Sequence, residues 1–241
     1  MTEPLELDGV HSGYGDLLVV RDVSFTIRQS SITALLGRNG AGKTTLLRTI
    51  AGLNEIRRGD IRFRGRSLRG QPPYRRKFRG LGFAQENKRI FKRLTVEQNL
   101  VFGLYGLRLN RLATAARLTE AYNRFPVLAD KKSQLAGFLS GGQQQMLAIS
   151  QALMSRPALL MLDEPFSGLA PSIVHEVMRT VRQIRDEEKR TILLVEQAVD
   201  LALSMADSVL LLDVGKLVHT GPASDPGLRK IVEQVYFGAR L

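Results

Sequence analysis

The run Gly37-Arg38-Asn39-Gly40-Ala41-Gly42-Lys43-Thr44-Thr45 has the residue types and spacing of a polyphosphate cradle, G-x-x-x-x-G-K-[ST]. Glycines at 37, 40 and 42 let the backbone curl until successive N–H groups point inward at an anion. The Lys43 ammonium can reach β- and γ-phosphates, and the Thr44 hydroxyl is a hard oxygen ligand for Mg²⁺. Two carboxylates, Asp163 and Glu164, close a later apolar run. Asp163 suits Mg²⁺ held through water beside Thr44, and Glu164 suits polarising a water for attack on a γ-phosphate. Ser140-Gly141-Gly142-Gln143 opens a helical run, with Ser140 as N-cap, and offers N–H groups and a positive dipole end to an anion. The same residues also make an ordinary helix start. Tyr14, in a glycine-rich turn, presents a flat ring to a purine or packs half-buried; its spacing leaves both open.

Elements must place these groups together. Ser31 to Leu36 reads as a buried strand before the glycine loop, and Thr45 to Leu53 as the helix after it, its N-terminus facing the phosphates. Ala158 to Leu162 reads as a strand buried on both faces, which puts Asp163 and Glu164 at its C-terminal end. In an open parallel sheet that is the ligand edge. Thr191 to Val195 is a further buried strand and brings Gln197 to the same edge. From Leu5 to Ile27 the pattern predicts antiparallel strands around the turn at Gly13 to Asp16. Gly59 to Gly65 and Leu81 to Ala84 read as short strands, the latter leading into Gln85 and Glu86. Thr95 to about Leu128 changes to helical spacing and predicts a small helical lobe inserted between strands. A helix from about Ile173 to Glu188, a hairpin across Val209 to His219 and a closing helix from Pro226 to Phe237 complete the expectation.

The chain has 241 residues, 44% of them hydrophobic and 24% charged, which is ordinary for a globular protein of one large domain or two packed lobes. Cysteine is absent, so disulfides and thiolate metal sites are excluded. The N-terminus lacks a basic and apolar secretory leader, and no apolar run approaches the ~20 residues of a membrane span, so the expectation is a soluble cytoplasmic protein. The net charge of +12 is concentrated between Arg57 and Arg93. There, fourteen basic residues face only Asp60 and Glu86. Such a segment suits nucleic acid, an anionic membrane surface or an acidic partner, or is simply a solvated face.

Together, the phosphate loop, Leu139-Ser140-Gly141-Gly142-Gln143 and Leu159-Leu160-Met161-Leu162-Asp163-Glu164-Pro165 resemble the ABC-transporter ATPases, essentially end to end. The resemblance implies an α/β P-loop NTPase (RecA-like) core with an antiparallel β subdomain and an inserted ABC helical subdomain. It implies one domain over 1–241, with 1–93 and 157–241 forming the core and about 94–156 the helical part. It casts Tyr14 as the adenine-stacking aromatic, Gly37 to Thr45 as Walker A, Asp163 as Walker B and Glu164 as the catalytic glutamate. Ser140, Gly141, Gly142 and Gln143 become the signature that meets ATP on an opposite subunit.

Gln143 to Ile149, Gly168-Leu169-Ala170-Pro171 and Val195-Glu196-Gln197 look like the F-type ATPase subunit of branched-chain amino-acid importers; urea and amide importers share much of this. Gln197 stands in place of the switch histidine, Ala170 in place of the usual D-loop aspartate, and the Q-loop slot near the metal falls to Gln85 or Glu86. The cofactors implied are ATP and Mg²⁺. The partners implied are transmembrane permease subunits and a second ABC ATPase subunit in a heterodimer, on the inner face of the cell membrane and without nucleic acid. A soluble nucleic-acid ATPase and a lipid transporter are the competing readings.

Overall fold

The computed structural model describes residues 4–86 and 89–237. In chain order, β1 (Leu5–Tyr14) and β2 (Leu17–Ile27) form the expected hairpin, and β3 (Ile32–Leu36) runs into the glycine loop and α1 (Lys43–Ala51). There follow β4 (Arg58–Phe63), a short β5 (Arg66–Ser67), α2 (Pro73–Phe78) and β6 (Leu81–Ala84). The helical stretch holds α3 (Val96–Phe102), α4 (Arg111–Arg124), α5 (Pro126–Asp130), a 3₁₀ turn (Ala136–Phe138) and α6 (Gly141–Leu153). The remainder is β7 (Leu159–Asp163), α7 (Pro171–Asp186), β8 (Thr191–Val195), α8 (Val199–Leu203), β9 (Ser208–Asp213), β10 (Lys216–Pro222) and α9 (Leu228–Phe237). The short β5 and α8 carry no periodic signal and were not expected.

Six strands form the central sheet in the order β10-β9-β3-β8-β7-β6, all parallel except the edge strand β10. Side chains alternate across each strand, so an all-apolar strand feeds two cores. In β7, Leu160 and Leu162 face one core with Val96, Leu100, Phe125, Leu147 and Val181. Leu159 and Met161 face the other, shared with α1 (Leu46, Leu47, Ile50) and the antiparallel sheet β2-β1-β4-β5. A third, smaller core packs Leu228 and Val232 of α9 against Ala34, Leu36, Val209 and Leu211 of β3 and β9.

Helix starts are set by side chains. Thr95 and Ser140 make reciprocal capping boxes with Gln98 and Gln143, and Asn110 caps α4; caps of this type contribute about 1 kcal/mol each. At the other end of α1, Gly52 turns left-handed (φ 83°), and the last carbonyls are met by a side chain from far along the chain. The Arg76 guanidinium, 3% exposed, donates to the carbonyls of Thr49, Ile50, Leu68 and Gln71.

The basic residues between Arg57 and Arg93 are divided between the interior and the surface. Arg76 lies inside the fold, where burial lowers its pKa to about 10. Arg69 bonds the Gly59 and Arg57 carbonyls, and Arg62 pairs with Asp60. Arg75, Arg89, Lys92 and Arg93 remain exposed, and Lys88 lies outside the described residues. None of the described helices is long and apolar enough to cross a membrane.

Candidate functional site

The C-terminal ends of β3, β7 and β8 converge on a cleft of about 460 Å³ lined by Asn39, Gly40, Gly42, Lys43, Thr44, Thr45, Glu86, Glu164 and Gln197, with Val19 on one wall. Its floor is the glycine loop. At Gly37, φ is 154° and a Cβ would stand 2.3 Å from the Leu212 carbonyl oxygen, so only glycine passes there. Lys43 is 5% exposed, and its Nζ donates to the carbonyls of Gly37 (2.8 Å) and Arg38 (3.2 Å). Burial pushes its pKa down, although Glu164, Asp163, Glu196 and Glu86 all pull it up. The first amides of α1 beyond Lys43 have no partner within the helix and open towards the cleft.

Thr44 Oγ1 donates to Asp163 Oδ1 at 3.3 Å. Asp163 is 1% exposed, and burial raises its pKa to about 6, with the Thr44 bond opposing and Glu86 and Glu164 adding. Glu164 sits in a left-handed turn (φ 48°) that aims its side chain back over the sheet edge. Its Oε1 accepts from Gln197 Nε2 at 2.5 Å. Two oxygen donors of the type Mg²⁺ prefers are therefore side by side, with a carboxylate and an amide facing them. Among the described residues no group of three or more His, Cys, Asp or Glu could hold a metal unaided. A cation at this place would need its remaining ligands from phosphate and water, which is how Mg²⁺ commonly binds with nucleotides.

The other candidates lie around this cleft. Tyr14, 45% exposed, accepts from Thr45 Oγ1 at 3.4 Å and has the Arg48 guanidinium over its ring at 5.9 Å, so the ring edges the loop without lining the cleft. Of the two Q-loop candidates, Glu86 lines the cleft, whereas Gln85 lines a separate groove between the sheet and the helical region. None of Ser140, Gly141, Gly142 and Gln143 lines it. They stand exposed or half-exposed at the start of α6, where Ser140 Oγ accepts from Gln143 N–H and Gln143 Oε1 accepts from Ser140 N–H. Arg38 is exposed at the loop and Ala41 is buried, its N–H donated to the Arg38 carbonyl.

One residue with a place in the site escapes sequence reasoning. Glu196, 4% exposed, accepts from the N–H groups of Phe166 (3.1 Å) and Gln197 (3.2 Å), and so ties the turn after Glu164 to the end of β8. Burial pushes its pKa up to about 7, against those bonds and with help from Glu164. The only signal in the sequence is a carboxylate directly after five buried residues.

Fold and cleft together define a phosphate-loop ATPase, with the cleft at the carboxyl edge of a parallel sheet. The chain belongs to the ABC transporter family, whose domain matches residues 20–167, and it is an ABC ATPase. It is 40% identical to the high-affinity branched-chain amino acid transport ATP-binding protein BraG of Pseudomonas aeruginosa, over 91% of this chain and 94% of that one. It is 37% identical to the probable branched-chain amino acid transport ATP-binding protein LivF of Archaeoglobus fulgidus, over 90% and 91%. Among solved structures, an ATP-binding subunit of an ABC transporter superposes with a TM-score of 0.84 at 27% identity, covering 97% of this chain and 98% of the other. A nucleotide-free ATP-binding cassette, at 24% identity, gives 0.83 over 98% and 100% and shows the shared fold.

Proposed function

We propose that this chain is the ATP-hydrolysing subunit of an importer for branched-chain or similar small amino acids, working on the inner face of the membrane beside permease subunits. The observation that carries the ATPase chemistry is the convergence of Lys43, Thr44, Glu164 and Gln197 on one cleft, with Asp163 bonded to Thr44. The substrate class rests on the names of the two relatives above. Residues 1–241 form one ABC ATPase domain, with about 94–156 as its helical part.

In this reading the β- and γ-phosphates of ATP lie over Gly40 to Thr45, where the loop amides and the Lys43 ammonium offset their charge. Thr44 and Asp163 would hold Mg²⁺, which when bound would supply positive charge against the phosphates. Glu164 accepts the proton of a water as its oxygen bonds to the γ-phosphorus and the bond to the leaving ADP oxygen breaks. Gln197 holds the Glu164 carboxylate in place. It donates as a histidine would but carries neither charge nor a titrating proton. Tyr14 stacks on the adenine.

The cleft lacks Ser140 and Gly142 of its own chain, and these reach ATP on a second ATPase subunit. Ala170, at the N-cap of α7, provides no side-chain cap bond. The D-loop and switch positions both depart from the general pattern, and pairing with a different subunit avoids repeating both departures by two-fold symmetry.

The permease docks in the groove of about 350 Å³ lined by Tyr74, Phe83, Phe91, Phe102 and Met161, with Lys77 and Arg89 at its wall. Exposed Tyr74, Phe91, Phe102 and Tyr105 suit the apolar face of a short helix, and the two cations suit a carboxylate on it.

The test is uptake of labelled leucine by vesicles carrying the full importer. ATP-dependent uptake that Lys43→Ala abolishes supports the reading. ATP hydrolysis stimulated by nucleic acid and not by permease and binding protein overturns it.

A further inference from the structure

We infer that Tyr236, on the last helix of the described chain, is a positioning residue for the nucleotide: its hydroxyl fixes the first peptide of the phosphate loop. Gly37 N–H donates to Tyr236 Oη at 3.0 Å, across 199 residues of sequence. The helix that carries it is anchored on strands of the central sheet and not on the loop itself. Leu228 and Val232 of α9 are buried against β3 and β9, with Tyr236 itself packed at the edge of that core.

The need for such an anchor follows from the other backbone group of the same residue, which belongs to the next peptide. The Gly37 carbonyl accepts from Lys43 Nζ at 2.8 Å, and the Arg38 carbonyl from the same atom at 3.2 Å. With the cleft empty, the ammonium therefore braces the loop. When it turns to a phosphate it gives up part of that brace, at the point where the chain squeezes past the Leu212 carbonyl. Tyr236 holds Gly37 from a helix that has no part in this exchange. Its ring is half-buried, and burial together with the Glu164 and Glu196 carboxylates keeps the hydroxyl protonated, so it serves as a neutral hydrogen-bonding group through the working pH range. Taking the Gly37 amide also removes it from the donors facing the phosphates; the Ala41 amide is likewise taken, by the Arg38 carbonyl, which leaves those of Gly40 and of Gly42 to Thr45.

This inference rests on the reading of the cleft as an ATP site. The test is calorimetric binding of ATP with Mg²⁺ to the full isolated chain, as wild type, Tyr236→Phe and Tyr236→Leu, with nucleotide-free melting of each. Tyr236→Phe keeps the packed ring and loses one hydrogen bond, so its melting point should fall by no more than about 2–4 °C. Its ATP affinity should fall about five- to tenfold, because the bond restrains Gly37 more once Lys43 has left the Gly37 carbonyl for phosphate than while that brace is in place. Tyr236→Leu should lose as much affinity and melt lower. In the assembled importer, Tyr236→Phe should raise the KM for ATP by the same factor with kcat within about twofold. Wild-type affinity in Tyr236→Phe, whether or not the leucine variant binds, overturns the proposal. A wild-type chain that does not bind ATP would instead defeat the ATP-site reading, a separate and recognisable result.

Discussion

Glu164, just after β7, and Glu196, just after β8, are buried carboxylates that invite opposite experiments. Glu164 faces the cleft, and its replacement by glutamine removes the base while an oxygen remains to accept from Gln197. Glu164→Gln should bind ATP normally and hydrolyse it slower by ~10²–10⁴, measured as single-turnover phosphate release from the assembled importer. Near-normal turnover would move the base elsewhere. Glu196 faces inward, and its influence is on stability. With its pKa raised from 4.5 to about 7, the folded state holds a proton that the unfolded state releases. The contribution is therefore full below pH 4.5 and is lost as pH rises to about 7, by on the order of 3 kcal/mol. Asp163 titrates in the same direction, so the variant must isolate the term. The melting temperature of Glu196→Gln relative to wild type should rise between pH 5 and 8. A difference flat across that range would mean that the carboxyl is ionised throughout.

At the scale of elements, the phosphate helix is held at both ends by distant residues. Tyr236 meets the loop before it, and Arg76 meets its last carbonyls. Arg76→Ala should lower stability by about 2–4 kcal/mol in denaturant unfolding, because four buried carbonyls lose a charged donor, whereas exposed Arg75→Ala should stay within about 0.5 kcal/mol. Equal effects would place Arg76 on the surface after all. The contrast also marks what was legible beforehand. The strands β3, β7 and β8 announce themselves as apolar runs, and their ends place Lys43, Asp163, Glu164 and Gln197 together, because a parallel sheet collects its C-terminal ends on one edge. Capping chemistry likewise announces Ser140 before α6. Arg76 was illegible, since its neighbours Arg75 and Lys77 have the same charge and only packing decides which one turns inward. Gln85 and Glu86 could not be separated because periodicity ends with β6 and the next residues are placed by tertiary contact. Tyr236 had no local signal whatever: its partner is in the first fifth of the chain.

For the whole molecule, the separation between the cleft and the start of α6 matters most. On the proposed reading, in which Ser140 meets ATP held by a second subunit, its position outside its own chain's cleft makes the working site one that forms by association. With Gln197 and Ala170 at the switch and D-loop positions, we expect the isolated protein to sediment largely as a monomer with slow basal hydrolysis, and Gln197→His to change that rate only modestly. A tight ATP-dependent homodimer with full turnover and no added partner would refute this arrangement.

The two residues after β6 diverge at once, Glu86 towards the nucleotide cleft and Gln85 towards the aromatic groove. On the reading proposed above, in which the cleft takes ATP and the groove a permease segment, fuel and load stand on adjacent residues. The peptide between them is planar, so a turn in ψ at Gln85 or φ at Glu86 is what swings one side chain relative to the other. Movement at one surface would then have the shortest covalent route to the other.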